Sequence, residues 1–428
     1  MKNFYRKLKT IYWRVKSVLT RHYYGNPSKK LKIIGVTGTN GKTTTASLLY
    51  LIATALGYKA GLVGTVEYLI AGERRRATHT TPDSLSLTKL FKEMADRGCE
   101  YVFMEVSSHA LDQGRVRGIS FAGGIFTNLT HDHLDYHRSL EKYFLAKRKF
   151  FEMLPASAFA LSNADDEHGR EMLQTTKARK FFYGFKDFPE VGLRGNSPMS
   201  DFGDFGEIQG EVIKIDSSGI ELRLGGEVVK SKLRGKFNAY NILAVWSACK
   251  LLGFDTEKVN KILEEVEPPR GRFEHFSSPG GVLVIVDYAH TPDALEKVIL
   301  AAKEIKSEPS RLIAVFGCGG DRDPLKRRIM GKLGASMSDI AIFTADNPRS
   351  ESPEKIIEEM RTDLSVRDSK KVKIIPDRRA AIRESVRLAK AGDIILCAGK
   401  GHEDYQEIKG VKHHFSDMEE FKKALKQS

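Results

Sequence analysis

A chain of 428 residues that is 41% hydrophobic and 29% charged can bury a substantial core and divide into two or three domains, which excludes a disordered or fibrous protein. Its four cysteines have no paired spacing, so a disulfide framework and a cysteine zinc site are excluded and a reducing cytoplasm is expected. No apolar run is long enough to cross a bilayer or to form a signal peptide, while a net charge of +14, with no Asp or Glu before Glu67, implies an anionic partner.

Residues 1–24 place Phe4, Leu8, Ile11, Tyr12, Val15, Val18 and Leu19 at helical spacing among Lys2, Arg6, Lys7, Lys9, Arg14, Lys16 and Arg21, which predicts a basic amphipathic helix. Such a helix can lie on anionic lipid or contact a protein, and docking on the chain's own body is the preferred reading. Nucleic acid is not expected, because aromatic and basic residues interleave only in this opening segment. Gly25-Asn26-Pro27-Ser28 reads as a turn, so residues 1–30 form a helix and linker separate from the rest of the chain.

The apolar run Lys32–Val36 predicts a strand and Thr43–Leu56 a helix, with Gly35-Val36-Thr37-Gly38-Thr39-Asn40-Gly41-Lys42-Thr43-Thr44-Thr45 spanning the turn between them. Backbone N–H groups at such a turn attract phosphates, so Gly38, Thr39, Asn40, Gly41, Lys42, Thr43 and Thr44 are candidates to bind ATP. Lys42 would meet the terminal phosphates, and the Thr43 hydroxyl would meet Mg²⁺. Five residues separate Gly35 from Gly41 where the general phosphate loop has four, so the match is read as Thr-Gly-Thr-Asn-Gly-Lys-Thr.

From Leu31 to Pro268, strand-like runs such as Tyr101–Val106 and Gly124–Asn128 alternate with helical stretches. This predicts a central P-loop ATPase-like α/β domain, residues 31–269, whose mostly parallel sheet gathers ligands at the C-terminal ends of its strands. Glu105 ends one strand, in Phe103-Met104-Glu105-Val106-Ser107-Ser108-His109, within reach of a metal held by the loop. A His/Asp cluster, Thr127-Asn128-Leu129-Thr130-His131-Asp132-His133-Leu134-Asp135-Tyr136-His137, comes after another strand, and Tyr143-Phe144-Leu145-Ala146-Lys147 lies on a helix beyond it. Taken alone, the cluster reads as a polar loop or a zinc site, and Lys147 as a solvated charge. Between Gly206 and Leu233, segments broken by Asp216-Ser217-Ser218-Gly219 and Gly225-Gly226 predict a small antiparallel meander inserted in the domain; helical periodicity resumes after Asn238.

Pro268-Pro269-Arg270-Gly271 marks the predicted boundary. Beyond it the runs Val282–Val286, Leu312–Phe316, Ile340–Thr344, Val372–Ile375 and Ile394–Ala398 predict a Rossmann-like α/β C-terminal domain over residues 270–428. Gly317-Cys318-Gly319-Gly320 is not a dinucleotide fingerprint, because Arg322 holds the third glycine position.

Together with the phosphate loop, His79-Thr80-Thr81-Pro82-Asp83, Glu105-Val106-Ser107-Ser108-His109, Asp132-His133-Leu134-Asp135-Tyr136-His137 and Gly399-Lys400-Gly401-His402-Glu403 make the chain, from about Tyr24 onward, resemble the Mur ligase family. That family joins amino acids to the peptide of bacterial cell-wall precursors, and the likeness is greatest to members that extend UDP-N-acetylmuramoyl-L-alanyl-D-glutamate. The resemblance implies an ATP-dependent amide ligase of peptidoglycan precursor synthesis. In it the D-glutamate carboxylate attacks the γ-phosphate, and the resulting acyl phosphate is displaced by the amine of meso-diaminopimelate.

It further implies catalytic roles for Lys42, Glu105, His133 and Lys147, and Mg²⁺ ligation by Thr43, Glu105, His133 and Lys147, the lysine as a CO₂-derived carbamate. Asn238, Asn241, Arg272 and Asp287 would contact the nucleotide, the last two as the C-terminal domain closes over ATP. Thr80, Thr81, Ser107, Gln113 and Arg115 would hold the muramoyl-dipeptide. Arg322, Asp346, Asn347, Pro348, Arg349, Gly399 and Glu403 would hold diaminopimelate, whose distal carboxylate suits the Arg349 guanidinium. The family's uridine-diphosphate-binding domain has no counterpart before Leu31, which leaves a non-UDP or lipid-linked acceptor as an alternative, and lysine is a separate alternative for the amino acid. A folylpolyglutamate-synthase-like ligase and an inactive scaffold with the ligase fold compete with this reading, though intact Lys42, Glu105, His133 and Lys147 oppose the scaffold. A cytoplasmic monomer is expected.

Overall fold

The computed structural model describes residues 23–130, 132–185, 205–216 and 218–426, so all but the last two residues of the basic helix expected over 1–24 lie outside the described residues. The chain forms two compact units: one takes in residues up to Lys214 with Ile220–Lys232 and Phe237–Val266, the other Ile215–Gly219, Leu233–Lys236 and Glu267 onward. Among the described residues no helix is long and apolar enough to cross a membrane.

The first unit is built on eleven strands: β1 Lys32–Thr37, β2 Ala60–Val63, β3 Glu67–Ile70, β4 Glu73–Arg76, β5 Tyr101–Glu105, β6 Phe121–Phe126, β7 Phe159–Asn163, β8 Arg179–Gly184, β9 Phe205–Asp216, β10 Gly219–Leu224 and β11 Glu227–Ser231. They lie in the order β11-β10-β9-β8-β7-β6-β1-β5-β2-β3-β4. Around β1 the pairing is parallel. These central strands are buried nearly throughout, as expected where helices cover both faces of a parallel sheet. The chain moves from β1 out to β2 on one side and from β6 outward on the other, so the order reverses beside β1 and opens a crevice at its C-terminal end. The phosphate-loop motif begins there.

The antiparallel meander expected over 206–233 is present, and its strands continue the main sheet. β9 is 12 residues long, enough for Phe205–Gln209 to pair in parallel with β8 before the chain continues to the antiparallel pair β10 and β11. The meander therefore extends the main sheet.

Packing on this sheet aims the helix Leu140–Glu152. Its apolar face presents Tyr143, Phe144, Phe150 and Phe151 to the core. Phe150 rests on bare backbone: a Cβ built at Gly35 of β1 would lie 2.5 Å from its ring, and one at Gly124 of β6 2.8 Å. Glycine on adjacent strands thus makes a flat seat for one aromatic ring. One turn earlier on the same face, Lys147 is carried into the interior.

The main sheet of the second unit has six strands, β12 Glu274–Ser277, β13 Leu283–Asp287, β14 Leu312–Phe316, β15 Ile340–Phe343, β16 Val372–Ile374 and β17 Ile394–Ala398, in the order β12-β13-β17-β14-β15-β16. All pairs are parallel except β12 with β13. A separate hairpin, β18 Tyr405–Ile408 and β19 Val411–His414, turns through Lys409 and Gly410, both at positive φ. Cys99, Cys249, Cys318 and Cys397 are buried free thiols.

Candidate active site

Past β1 the chain enters a tight turn stapled to the loop after β6. Asn40 N–H donates to Asn128 Oδ1 at 2.9 Å, Thr39 N–H to Asn128 O at 2.8 Å and Thr127 Oγ1 to Asn40 O at 2.6 Å. Gly38 and Gly41 stand at φ +152° and +85°; a Cβ at Gly38 would overlap Thr127 Oγ1, and one at Gly41 would overlap Asn241 Oδ1. Asn241 Nδ2 donates in turn to Asn238 Oδ1 at 2.9 Å, both on the helix Lys236–Leu251. Gly41 caps the helix Lys42–Ala55, whose first-turn N–H groups and dipole favour an anion.

Two ammonium groups converge on one carbonyl. Lys42 Nζ donates to Gly38 O at 2.9 Å and to Thr39 O at 2.7 Å, and Lys147 Nζ reaches the same Gly38 O at 2.7 Å. Lys147 is 1% exposed and lies 4.2 Å over the Tyr143 ring. Burial holds its ammonium well below its ordinary value, nearby Lys42 lowers it further, and Asp132 opposes both. Tyr143 Oη also touches Thr39 Oγ1, at 3.2 Å, tying this helix to the turn.

Glu105 ends β5 on the other side of β1, and only 1% of it is exposed. Thr43 Oγ1 donates to its Oε2 at 3.0 Å, Thr65 Oγ1 to the same oxygen at 3.1 Å and Thr65 N–H to its Oε1 at 2.7 Å. Thr43 and Glu105 thus juxtapose two hard oxygen donors at the helix start, a set suited to Mg²⁺. His133 sits in a left-handed backbone conformation, φ +55°, with its N–H bonded to Asp132 Oδ1 at 2.7 Å. Its ring faces His109 at 4.9 Å and Tyr143 at 6.0 Å. Burial lowers the imidazole to about 4 even though Asp132 pulls it upward, so it is neutral at physiological pH and keeps a lone pair for a cation.

Thr80, Thr81, Ser107, Gln113 and Arg115 also gather here. Thr65 Oγ1 lies 3.0 Å from Thr80 Oγ1, and Thr81 Oγ1 donates to the carbonyl of Glu105 at 2.8 Å while accepting Ser107 N–H at 3.0 Å. Arg115 NH1 donates to Thr81 O at 2.8 Å, and its NH2 to Gln113 Oε1 at 2.6 Å. This polar rim adjoins the Glu105 carboxylate.

The remaining candidates belong to the second unit. Asp287, at the end of β13, accepts Phe273 N–H at 2.7 Å and Ala289 N–H at 2.8 Å; burial raises its carboxyl, with Arg272 acting against the shift. Arg272 stacks on Tyr288, 4.9 Å from the ring, and its Nε is buried without a hydrogen-bond partner among the described residues. Loops after β14, β15 and β17 form a second group. Asn347 Nδ2 donates to Glu403 Oε2 at 2.8 Å, and Lys400 Nζ to Glu403 Oε2 and Asn347 Oδ1, both at 3.1 Å. Burial raises the Glu403 carboxyl against the pull of Lys400. Asp346 Oδ2 is buried and lacks a donor among the described residues; a Cβ at Gly399 would come within 2.5 Å of it. Arg349 comes after buried Pro348, and its NH1 donates to Gly320 O at 2.7 Å. Arg322 is exposed beside it, its Cγ 3.7 Å from where a Cβ on Gly319 would stand.

Sequence reasoning missed Thr65, which carries two of the bonds to Glu105, and the hairpin that braces Arg349. A single threonine after a glycine carries no recognisable signal, and the hairpin strands are too exposed for apolar alternation.

Comparison with known proteins agrees with the geometry. The model of the Mur ligase middle domain matches residues 36–249, and that of the Mur ligase glutamate ligase domain matches residues 271–401. A UDP-N-acetylmuramoyl-L-alanyl-D-glutamate--2,6-diaminopimelate ligase from Parabacteroides distasonis is 48% identical over 408 residues, covering 95% of this chain and 80% of that protein. A solved structure of a ligase of the same name is 33% identical with a TM-score of 0.63, covering 93% of this chain and 78% of the other. Mycobacterium tuberculosis folylpolyglutamate synthase complexed with ADP, 18% identical with a TM-score of 0.68 over 90% of this chain and 91% of its own, shares the fold. Two family models in tandem and near-half identity along almost the whole chain show that it belongs to the Mur ligase family.

Proposed function

We propose that this chain is an ATP-dependent ligase that joins meso-diaminopimelate to the D-glutamate carboxylate of UDP-N-acetylmuramoyl-L-alanyl-D-glutamate. One observation carries the reading: Lys42 and Lys147 meet on the Gly38 carbonyl, and Thr43 meets Glu105, at a helix start whose N–H groups favour phosphate. Relatives named for this reaction supply the substrates.

The turn Gly38–Thr44 would cradle the β- and γ-phosphates, with Lys42 swinging from the loop carbonyls onto phosphate oxygen. An oxygen of the acceptor carboxylate attacks the γ-phosphorus as the bond to ADP breaks. The amine nitrogen then attacks the acyl carbon, phosphate leaves, and a proton passes from nitrogen to solvent. Both attacks bring anions or dipoles together in line, so the protein contributes mostly positioning and charge neutralisation. Mg²⁺, held by Thr43 and Glu105 and at a second position by His133 and a carbamylated Lys147, would supply the charge that lets two anions approach. Thr80, Thr81, Ser107, Gln113 and Arg115 would hold the muramoyl-dipeptide beside Glu105.

In the second unit, Arg272 and Asp287 would take nucleotide. Asp346, Asn347, Arg349, Gly399 and Glu403, with Arg322 and Pro348, combine both charge signs and suit an amino acid with a second carboxylate. We assign the phosphate cradle and metal ligands to a domain over 31–269, and amino-acid capture together with further nucleotide contacts to 270–428. Free buried thiols support a cytoplasmic setting, and a monomer suffices.

The deciding experiment is phosphate release with ATP, UDP-muramoyl-dipeptide and either diaminopimelate or lysine. Release that depends on both acceptor and diaminopimelate is expected; turnover indifferent to the acceptor would overturn the reading. Gly41→Ala is expected to weaken ATP binding at least about tenfold by calorimetric titration, because a side chain there both strains a left-handed residue and overlaps Asn241. Undiminished affinity would place the phosphates elsewhere.

A further inference from the structure

In the order β1-β5-β2, the strand that ends in Glu105 lies between the strand leading to the phosphate loop and the strand leading to Gly64 and Thr65. Its carboxylate is therefore gripped from both neighbours. Thr43, after β1, donates to Oε2 at 3.0 Å, while Thr65, after β2, straddles the group, with its N–H on Oε1 at 2.7 Å and its hydroxyl on Oε2 at 3.1 Å. The approach is close enough to require glycine next door: a Cβ built at Gly64 would stand 2.9 Å from Oε1. Gly64 N–H donates in turn to Glu67 O at 3.2 Å, which closes the tight connection from β2 to β3.

Every one of these donors is neutral. Glu105 is buried and makes no ion pair among the described residues, so its side chain is held by hydrogen bonds alone, an arrangement that suits a cation arriving with the substrate. A carboxylate offers about four acceptor positions, and these three bonds leave room for one more partner. Thr43 is itself assigned to Mg²⁺, which makes Thr65 the one residue donating to this carboxylate, among the described residues, that is not also a proposed metal ligand. By holding both oxygens from a single residue, Thr65 fixes the plane of the carboxylate. Partners of this kind orient a ligand that they do not replace.

We infer that Thr65 is a positioning residue, which holds the Glu105 carboxylate in the orientation that receives Mg²⁺. The inference deepens the proposed function and rests on its placement of the metal at Thr43 and Glu105. Thr65 Oγ1 also lies 3.0 Å from Thr80 Oγ1, beside the proposed acceptor, so a role confined to acceptor binding is the competing outcome.

Mn²⁺, a paramagnetic stand-in for Mg²⁺, can be titrated by electron paramagnetic resonance into the protein with a non-hydrolysable ATP analogue bound. Thr65→Val removes the hydroxyl but keeps the shape and the N–H, and is expected to weaken Mn²⁺ binding about tenfold or more, the scale of losing an outer-sphere partner. Thr65→Ser, which keeps the hydroxyl, should bind Mn²⁺ like the wild type, and melting temperatures without metal should agree among the three proteins. The Mg²⁺ needed for half-maximal phosphate release should rise in Thr65→Val by the same factor as the Mn²⁺ affinity falls. If Thr65→Val does not fold, Thr65→Ala applies the same test against Thr65→Ser. Unchanged Mn²⁺ affinity without the hydroxyl would overturn the inference, whether or not the KM for the acceptor moves, as would an equal loss in Thr65→Ser. Glu105→Gln keeps this failure apart from a failure of the proposed function: wild-type Mn²⁺ affinity in that variant would remove the metal from Glu105, and the inference would fall with it.

Discussion

Lys147→Ala is expected to lower the ligation rate by about 10³-fold while leaving the protein folded, a loss on the scale of removing one preorganised charge partner from a transition state. A solvated lysine would tolerate the change, but Lys147 is buried against Tyr143 and the Gly38 carbonyl, and burial together with Lys42 depresses its ammonium. A depressed amine is a nucleophile for CO₂, and carbamylation would turn a cation that cannot ligate metal into an anion that can. Partial rescue of Lys147→Ala by a short carboxylic acid is therefore expected. A carbamate resonance from ¹³C-bicarbonate should appear in the wild type and be absent from the variant; full activity in the variant would refute the role.

The same group has a stability signature. Because the folded-state pKa lies below the ordinary value of 10.5, the unfolded chain binds a proton that the folded chain rejects between those two values. Stability should rise with pH across that window, the penalty being fully present below the folded pKa and gone above 10.5. Lys147→Met removes the charge and keeps the length. Urea unfolding without bicarbonate should show this variant at least as stable as wild type at neutral pH, with the slope lost.

Much of this architecture is legible in residue order, and the reasons are local. β13, β14, β15 and β17 read as continuous apolar runs because both faces of a parallel sheet are covered, and the limits of β13 to β17 fall within a residue or two of those expected. The phosphate loop is legible because glycine, lysine and threonine at fixed offsets between a strand and a helix have a single physical use. Contacts between distant segments are not. Lys147 meets Gly38 across 109 positions, on a helix seated by Phe150 on glycines of two neighbouring strands, and Glu105 meets Thr43 across 62 through the pairing of β5 with β1; no periodicity announces either. β12 and the hairpin β18–β19 give no signal either, since their side chains are largely exposed or half-buried and antiparallel edges need no apolar run. β9 reads only as the start of the meander, because its parallel pairing with β8 leaves no mark in the local alternation.

Arg349→Asn is expected to reduce kcat/KM for diaminopimelate by about 10² to 10³-fold, mostly through KM, while the rate with lysine changes less than about tenfold. The choice of asparagine is dictated by the backbone. At φ +52° an alanine would add strain, whereas asparagine tolerates the left-handed region, so the main-chain bonds to Glu407 and Lys409 should survive and only the guanidinium is lost. What disappears is the donor fork held by Gly320 O, which is free to lie across the loop because Gly319 has no side chain: a Cβ there would stand 2.9 Å from Arg349 NH1. A distal carboxylate would then enter a cluster holding Asp346, Glu403 and Glu407 with no guanidinium to receive it, and repulsion adds to the lost contact. Lysine brings no distal carboxylate, so it loses nothing by the substitution and is relieved of a repelling cation. The ratio of the two rates is therefore the sensitive quantity, and its constancy in Arg349→Asn would show that amino-acid choice is made elsewhere. ATP affinity serves as the internal control, because its cradle is built from the turn after β1 and should not respond.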